Sequence, residues 1–204
     1  MSTEWMLKAA AEGEVFAAGH AEGGVDLPLL LSTTNAEKVG GGYKFTGRKS
    51  FGSLTPVWTY LGLHGMDIGD PDAPKIVHAF MPRDSSEYTI HEVWDTVGMR
   101  STQNQNTALD GAFVPDKYIT RVVDAGFAGV DLFVLGIFAW ALMGFANVYY
   151  GNAQHALDMT IEAVKNKKSI AISRTMAYHS EVQHSIAEMV VEMEGVGGQI
   201  DRIA

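Results

Sequence analysis

The feature that most constrains this chain is a change of periodicity near Asp124. From residue 15 to about 123 the sequence runs in short apolar or alternating stretches broken by turn signals. These are Gly23-Gly24, Gly40-Gly41-Gly42, Asp70-Pro71-Asp72, Pro82 and Asp110-Gly111. Tyr43, Phe45 and Gly47 follow the triple glycine with period two, and Val77, Ala79 and Met81 repeat the pattern. Residues two apart share one face of a strand, so this spacing predicts an antiparallel sheet or barrel. Beyond Asp124 the period becomes helical. Residues 131 to about 168 contain no proline and close on Lys165, Lys167 and Lys168, cations suited to the carbonyl end of a helix. Residues 181–202 form a second helix with Val182, Ile186, Met189, Val190 and Met193 as its apolar stripe.

The reading is an α+β chain. Residues 14–123 are an antiparallel β-barrel domain, 124–204 a partial antiparallel α-helical bundle, and 1–13 the tail of a preceding helical domain, with Trp5, Met6, Ala9 and Ala10 on its buried side. The last helix stops at Ala204 in mid-stripe without a cap, so the chain is expected to be a piece of a longer one, cut short at both ends.

Charge and composition exclude several functions. The net charge of −9 argues against sequence-independent binding to nucleic acid, which needs clustered Lys and Arg. No cysteine is present, which rules out a disulfide framework, a thiolate metal site and a cysteine nucleophile. His179 and His184 do not share a helical face and no acidic cluster surrounds them, so no metal site is expected. The first thirteen residues hold Glu4, Lys8 and Glu12 and no apolar run. They are not a secretory signal, and a cytoplasmic setting is expected. The uncharged run 132–146 is shorter than the roughly 20 apolar residues a bilayer span needs. It reads as a helix buried on all sides in a soluble bundle, with no membrane partner.

The most specific stretch is 98–115, GMRSTQNQNTALDGAFVP. Taken alone, Gly98 breaks a strand, residues 107–114 form the next, and Pro115 ends it. With Trp94 before it, this stretch resembles the middle-domain signature of the acyl-CoA dehydrogenases, matched by Trp94, Gly98, Arg100, Ser101, Thr102, Val114 and Pro115. Two further segments match in order. VFAAGHAEGGVD (15–26) is similar to the segment that usually reads Thr-Glu-Pro-x-x-Gly-Ser-Asp, with Gly24 and Asp26 in place and Gly19, His20, Ala21 and Val25 departing from it. GGYKFTGRKSFGS (41–53) is similar to the Gly-x-Lys-x-Trp-x-Thr strand through Gly47, Lys49, Phe51 and Ser53. YGNAQHALDMTIEAVKNKK and VQHSIAEM resemble the first helices of the family's C-terminal bundle.

The resemblance implies FAD as cofactor. An isoalloxazine ring needs a flat wall and hydrogen-bond donors at its N5 and O4 edge. Phe51 would supply the wall and Ser53 the donor. Phe16, Ala18, Gly19, Gly24 and Val25 would line the loop whose backbone approaches the ring and pyrophosphate, although Val25 lacks the usual serine hydroxyl. Lys167 stands where the family's arginine reaches the neighbouring subunit's FAD, keeping the charge but not the planar fork. Taken without the resemblance, Phe51 is a core residue and Ser53 a strand-end turn.

The family removes an α-proton with a glutamate. No Asp or Glu lies between Asp131 and Asp158, so the catalytic residue is unknown. Three readings follow: a fragment of an acyl-CoA dehydrogenase, acting on acyl-CoA or another small organic substrate; a fragment of a flavin-dependent monooxygenase of the same fold, which needs no such base; or a non-catalytic remnant. The apolar helix, lacking its usual neighbours, is expected to make the chain a homo-oligomer.

Overall fold

A computed structural model describes residues 4–24 and 28–203. They divide into two compact units after Val134. The first contains α1 (Glu4–Ala11), β1 (Phe16–Ala18), β2 (Asn35–Val39), β3 (Gly42–Gly52), β4 (Tyr60–Asp67), β5 (Lys75–Pro82), β6 (Tyr88–His91), β7 (Gln105–Pro115) and β8 (Ile119–Asp124). It also holds the first turn of α2 (Leu132–Asn166). The second contains the rest of α2, the two-residue strands β9 (Lys168–Ser169) and β10 (Arg174–Thr175), and α3 (Ser180–Ile203).

The eight strands of the first unit form one sheet in the order β6-β7-β3-β2-β4-β5-β8, with β1 also on β4. It is mostly antiparallel, but β1 and β2 both run parallel to β4. This corrects the expectation of an antiparallel barrel. The sheet is mixed, and no pairing joins its outer strands β6 and β8 among the described residues. The reason lies at β4. One edge of that strand is shared, with β1 taking Tyr60, Leu61 and Gly62 and β2 touching only Met66. A sheet that forks there does not carry a continuous ladder around a barrel.

The period-two pattern places Leu61, Leu63, Val77, Ala79 and Met81 on one face, where they meet Phe45, Trp58, Ala112 and Val114 in the core. The opposite face of β4 and β5 is buried too. It carries His64, Ile76 and His78, which is why these strands show no alternation of burial. Asp131 fixes the start of α2 near this face. Its Oδ1 accepts from the Phe133 and Val134 amides at 3.0 and 3.1 Å, an N-cap, and its Oδ2 accepts from Arg121 Nε in β8 at 2.9 Å. Phe133 then sets its ring edge-on to His78 at 5.3 Å.

In the second unit α2 and α3 run antiparallel. Tyr150 lies beside Gly197, and Met143 and Ile203 line one groove. The expectation that α2 is buried on all sides is not met. Trp140 is 84% exposed, and Leu142, Phe145, Val148 and Tyr149 are also exposed. Within this unit α3 covers a single stripe, and a helix apolar around its whole girth needs more neighbours than one. By length and composition α2 could also cross a membrane, and only 6% of its most apolar stretch is buried.

Candidate cofactor-binding site

Three segments separated in sequence meet along one rim of the sheet unit. Loop 19–24 continues from β1 and is joined to the end of β3 by the Ser50 amide, which donates to the Ala21 carbonyl at 2.8 Å. Gly52, the last residue of β3, pairs with Gln105, the first of β7. The Leu54 amide donates to the Thr102 carbonyl at 2.9 Å, which brings in the turn after Gly98. Gln105 Oε1 accepts from the Val93 and Trp94 amides at 2.6 and 2.9 Å, and Trp94 Nε1 donates to the Met99 carbonyl at 3.1 Å. The indole is thereby held edge-on to Phe51, with centroids 6.3 Å apart and planes at 88°.

Strain collects here. Phe51, Leu54, Met99 and Gln103 adopt positive φ values of 55°, 61°, 54° and 49°, a region that costs a residue with a Cβ about 1 kcal/mol or more. Such costs persist where the surrounding structure imposes them, as at sites that present side chains to a ligand. Phe51, one of these residues, is 62% exposed.

Beneath loop 19–24 lies a buried polar cluster. Glu22 and Lys49 form an ion pair in which both side chains are 1% exposed. Ser32 Oγ and Thr34 Oγ1 each donate to Glu22 Oε1 at 2.7 Å, and the Thr33 amide donates to Oε2 at 2.7 Å. Lys49 Nζ also donates to the His64 carbonyl. Burial works against the Glu22 carboxylate, but the Lys49 charge and these hydrogen bonds prevail and hold it at about 2. Burial lowers Lys49 to about 8, against the pull of Glu22. Both groups are charged at neutral pH.

Three histidines, His64 and His78 buried and His20 half-buried, are neutral there. Burial, aided by the Lys49 charge, lowers His64 to about 3. Burial lowers His78 to about 4. His20 is held well below its usual value by burial and then by its histidine neighbours. His64 Nε2 lies 3.0 Å from the Leu31 carbonyl, an acceptor only, so Nε2 carries the proton and Nδ1 is bare. His20 Nδ1 therefore donates to His64 Nδ1 at 3.3 Å, which leaves His20 Nε2 with its lone pair free.

The residues singled out from the sequence fall in different places. Phe51 and Ser53 stand on the rim with the Gly98 turn, and Ala18 and Gly24 are exposed beside it. Gly24 has φ +79° and open space where a side chain would be. Gly19 is different. It is buried, its amide donates to the Gly62 carbonyl at 2.7 Å, and a Cβ would come within 2.8 Å of Leu61 Cδ1. Its amide is thus taken up inside the sheet, and close packing is what requires a glycine. The Phe16 ring stacks on Tyr60 at 5.1 Å and meets Phe80 edge-on at 5.2 Å, an aromatic cluster shared with Trp5. Val25 lies outside the described residues. Lys167 belongs to the second unit, where its carbonyl accepts from the Met176 amide at 2.7 Å. Glu22, His64 and His78 were not singled out, and Lys49 entered only as a strand match. A lysine in period with Phe45 and Gly47 on an inward strand face was the signal.

A search of solved structures finds this architecture in an acyl-CoA dehydrogenase from Geobacillus kaustophilus. The TM-score is 0.81 and the identity 20%, over 98% of this chain and 52% of that one. The chain has the acyl-CoA dehydrogenase fold. No protein-family model matches it. Its curated relatives are several hydroxylases and a nitrososynthase by name. A pigment production hydroxylase of Rhodococcus erythropolis is 38% identical over 88 residues, 41% of this chain and 21% of that protein. An isobutylamine N-hydroxylase of Streptomyces viridifaciens is 21% identical over 196 residues, covering 95% of this chain and 51% of that protein. The oxygenase component of an FADH2-dependent resorcinol hydroxylase from a Rhizobium species is 31% identical over 93 residues, 44% of this chain and 22% of that protein. The chain thus spans about half or less of the length of these proteins.

Proposed function

We propose that this chain is the sheet and helix-pair portion of a flavin-dependent monooxygenase that hydroxylates a small organic substrate. The observation that carries the reading is the single rim on which loop 19–24, the end of β3 and the Gly98 turn converge. That rim fits a flat aromatic group. Phe51 presents an exposed ring steadied by Trp94, and Gly23 and Gly24 leave the loop backbone open beside it.

Bound FAD, once reduced, would supply the electrons for activating O₂. In this reading Phe51 holds the ring plane, Ser53 offers a hydroxyl at its edge, and the open backbone at Gly24 lets the cofactor approach. Lys167 contributes a cation to the phosphates bound by a neighbouring copy, and the exposed stripe of α2 drives that self-association. A proton-abstracting carboxylate has no place in the scheme. Glu22, the acid that the loop does carry, is held by Lys49, Ser32 and Thr34.

Acyl-CoA dehydrogenation is the second reading, favoured by the 0.81 TM-score to a dehydrogenase. Titrating the purified chain with FAD tests the shared part. Quenching of flavin fluorescence at micromolar FAD is expected, and its absence ends both readings. For the longer protein, reoxidation of externally reduced FAD with hydroxylated product is the expected result. Anaerobic bleaching of the flavin by acyl-CoA gives the case to dehydrogenation.

A further inference from the structure

The Glu22–Lys49 pair is the point where four segments are drawn together: loop 19–24 through Glu22, the segment of Ser32, Thr33 and Thr34 donating to its carboxylate, strand β3 through Lys49, and strand β4 through the His64 carbonyl that accepts from Lys49. Loop 19–24 has few other ties. Its own backbone is joined to the sheet by the Gly19 amide on Gly62 and by the Ser50 amide on Ala21, and His20 adds one imidazole contact to His64. A buried ion pair is a poor way to gain stability, because desolvating two charges offsets most of their attraction and a well-packed apolar pair does as well or better. What such a pair does provide is direction: both carboxylate oxygens and two of the ammonium hydrogens find their partners in this arrangement of the four segments.

We propose that Glu22 and Lys49 are positioning residues. Their buried pair holds loop 19–24 against the sheet in a single conformation and so sets where its exposed backbone meets the flavin. The inference rests on the flavin reading for its purpose, but the two fail separately.

The test compares the 204-residue chain with Glu22→Gln, Lys49→Met and the double variant. Each single change strands a buried charge or an unpaired donor and is expected to lower global stability. The double change removes both charges and is expected to return the urea midpoint close to that of the parent. A merely structural pair predicts that everything else returns with it. A positioning pair predicts that it does not. Hydrogen exchange at the Ser50 and Gly19 amides stays about tenfold or more faster in the double variant, while the Val77 and Ala79 amides of β5 keep their protection. FAD binding stays about tenfold weaker. Parental exchange at Ser50 in a stable double variant overturns the proposal. If the parent chain binds no FAD, the flavin reading falls and the exchange result alone decides the positioning role. Should the double variant not fold, Glu22→Asp, which keeps the charge but shortens its reach, is expected to speed exchange at Ser50 selectively. Unchanged exchange there overturns the proposal equally.

Discussion

In the sheet unit one continuous cluster of large apolar side chains is sealed inside, although Phe51, Val97 and Phe127 stay exposed at its surface. Phe45, Leu63, Val77 and Met81 are fully covered, and the polar groups buried with them mostly find partners. In the helix pair Leu157 and Ile200 are covered, while Trp140, Phe145 and Val148 stand in the open. The difference follows from what each architecture offers. A sheet whose two faces are overlaid by its own loops encloses side chains on both sides. A hairpin of two helices has one seam, and everything off that seam must be covered from elsewhere or stay exposed.

The largest expected effect separates the two regions directly. Phe45→Ala should cost about 3–5 kcal/mol in urea denaturation, from lost burial and the cavity left behind. Trp140→Gln should change stability by less than about 0.5 kcal/mol, as for an exposed site. Equal costs would mean that the helix pair is covered in solution, and the contrast would disappear.

Acid should reach the sheet unit before the helices. His20, His64 and His78 all bind protons less readily in the folded chain than in the unfolded one. Their contribution is complete above about pH 6.5, the unfolded value, and is lost as pH falls toward the folded values of about 4 for His78 and about 3 for His64. Glu22 adds a further loss between the ordinary carboxylate value of 4.5 and about 2. Thermal melts followed by tryptophan fluorescence, with Trp140→Phe to silence the helix signal, should show a midpoint falling from pH 7 to pH 4. A flat profile would sink the assignment of neutral buried imidazoles.

The smallest effects have opposite signs. A Cβ at Gly42 would lie 2.2 Å from the Val114 carbonyl oxygen, so Gly42→Ala should destabilise by about 1–3 kcal/mol. At Gly144 in α2 a Cβ meets nothing within 4 Å, and Gly144→Ala should stabilise by up to about 1 kcal/mol through helix propensity. Urea midpoints of the two variants should move in opposite directions.

How much of this was legible in the sequence depends on the range of the interaction. The helices expected at 131–168 and 181–202 are observed as Leu132–Asn166 and Ser180–Ile203, because helical periodicity and the Asp131 cap are local signals. The inward set Tyr43, Phe45, Val77, Ala79 and Met81 was equally readable from period two. The parallel pairing of Phe16 with Tyr60 was not, since it joins residues far apart with no turn between them to fix the register. The Glu22–Lys49 pair was hidden for the same reason. One partner lies in a glycine-rich loop and the other in a strand, and neither position alone implies a buried charge. The rim was legible as three motifs, but the backbone strain at Phe51, Leu54, Met99 and Gln103 emerges only once those motifs are pressed together.

The unclosed sheet has one more consequence, for colloidal behaviour. Margins with free amides and carbonyls invite a strand from another molecule, the first step toward fibrils. This chain guards both. The β6 margin is only four residues long, and the β8 margin carries Arg121 and Asp124 locked to Asp131 and Lys75. Neutralising those charges would remove a guard against edge-to-edge pairing, and variants at Arg121 and Asp124 are expected to aggregate more readily.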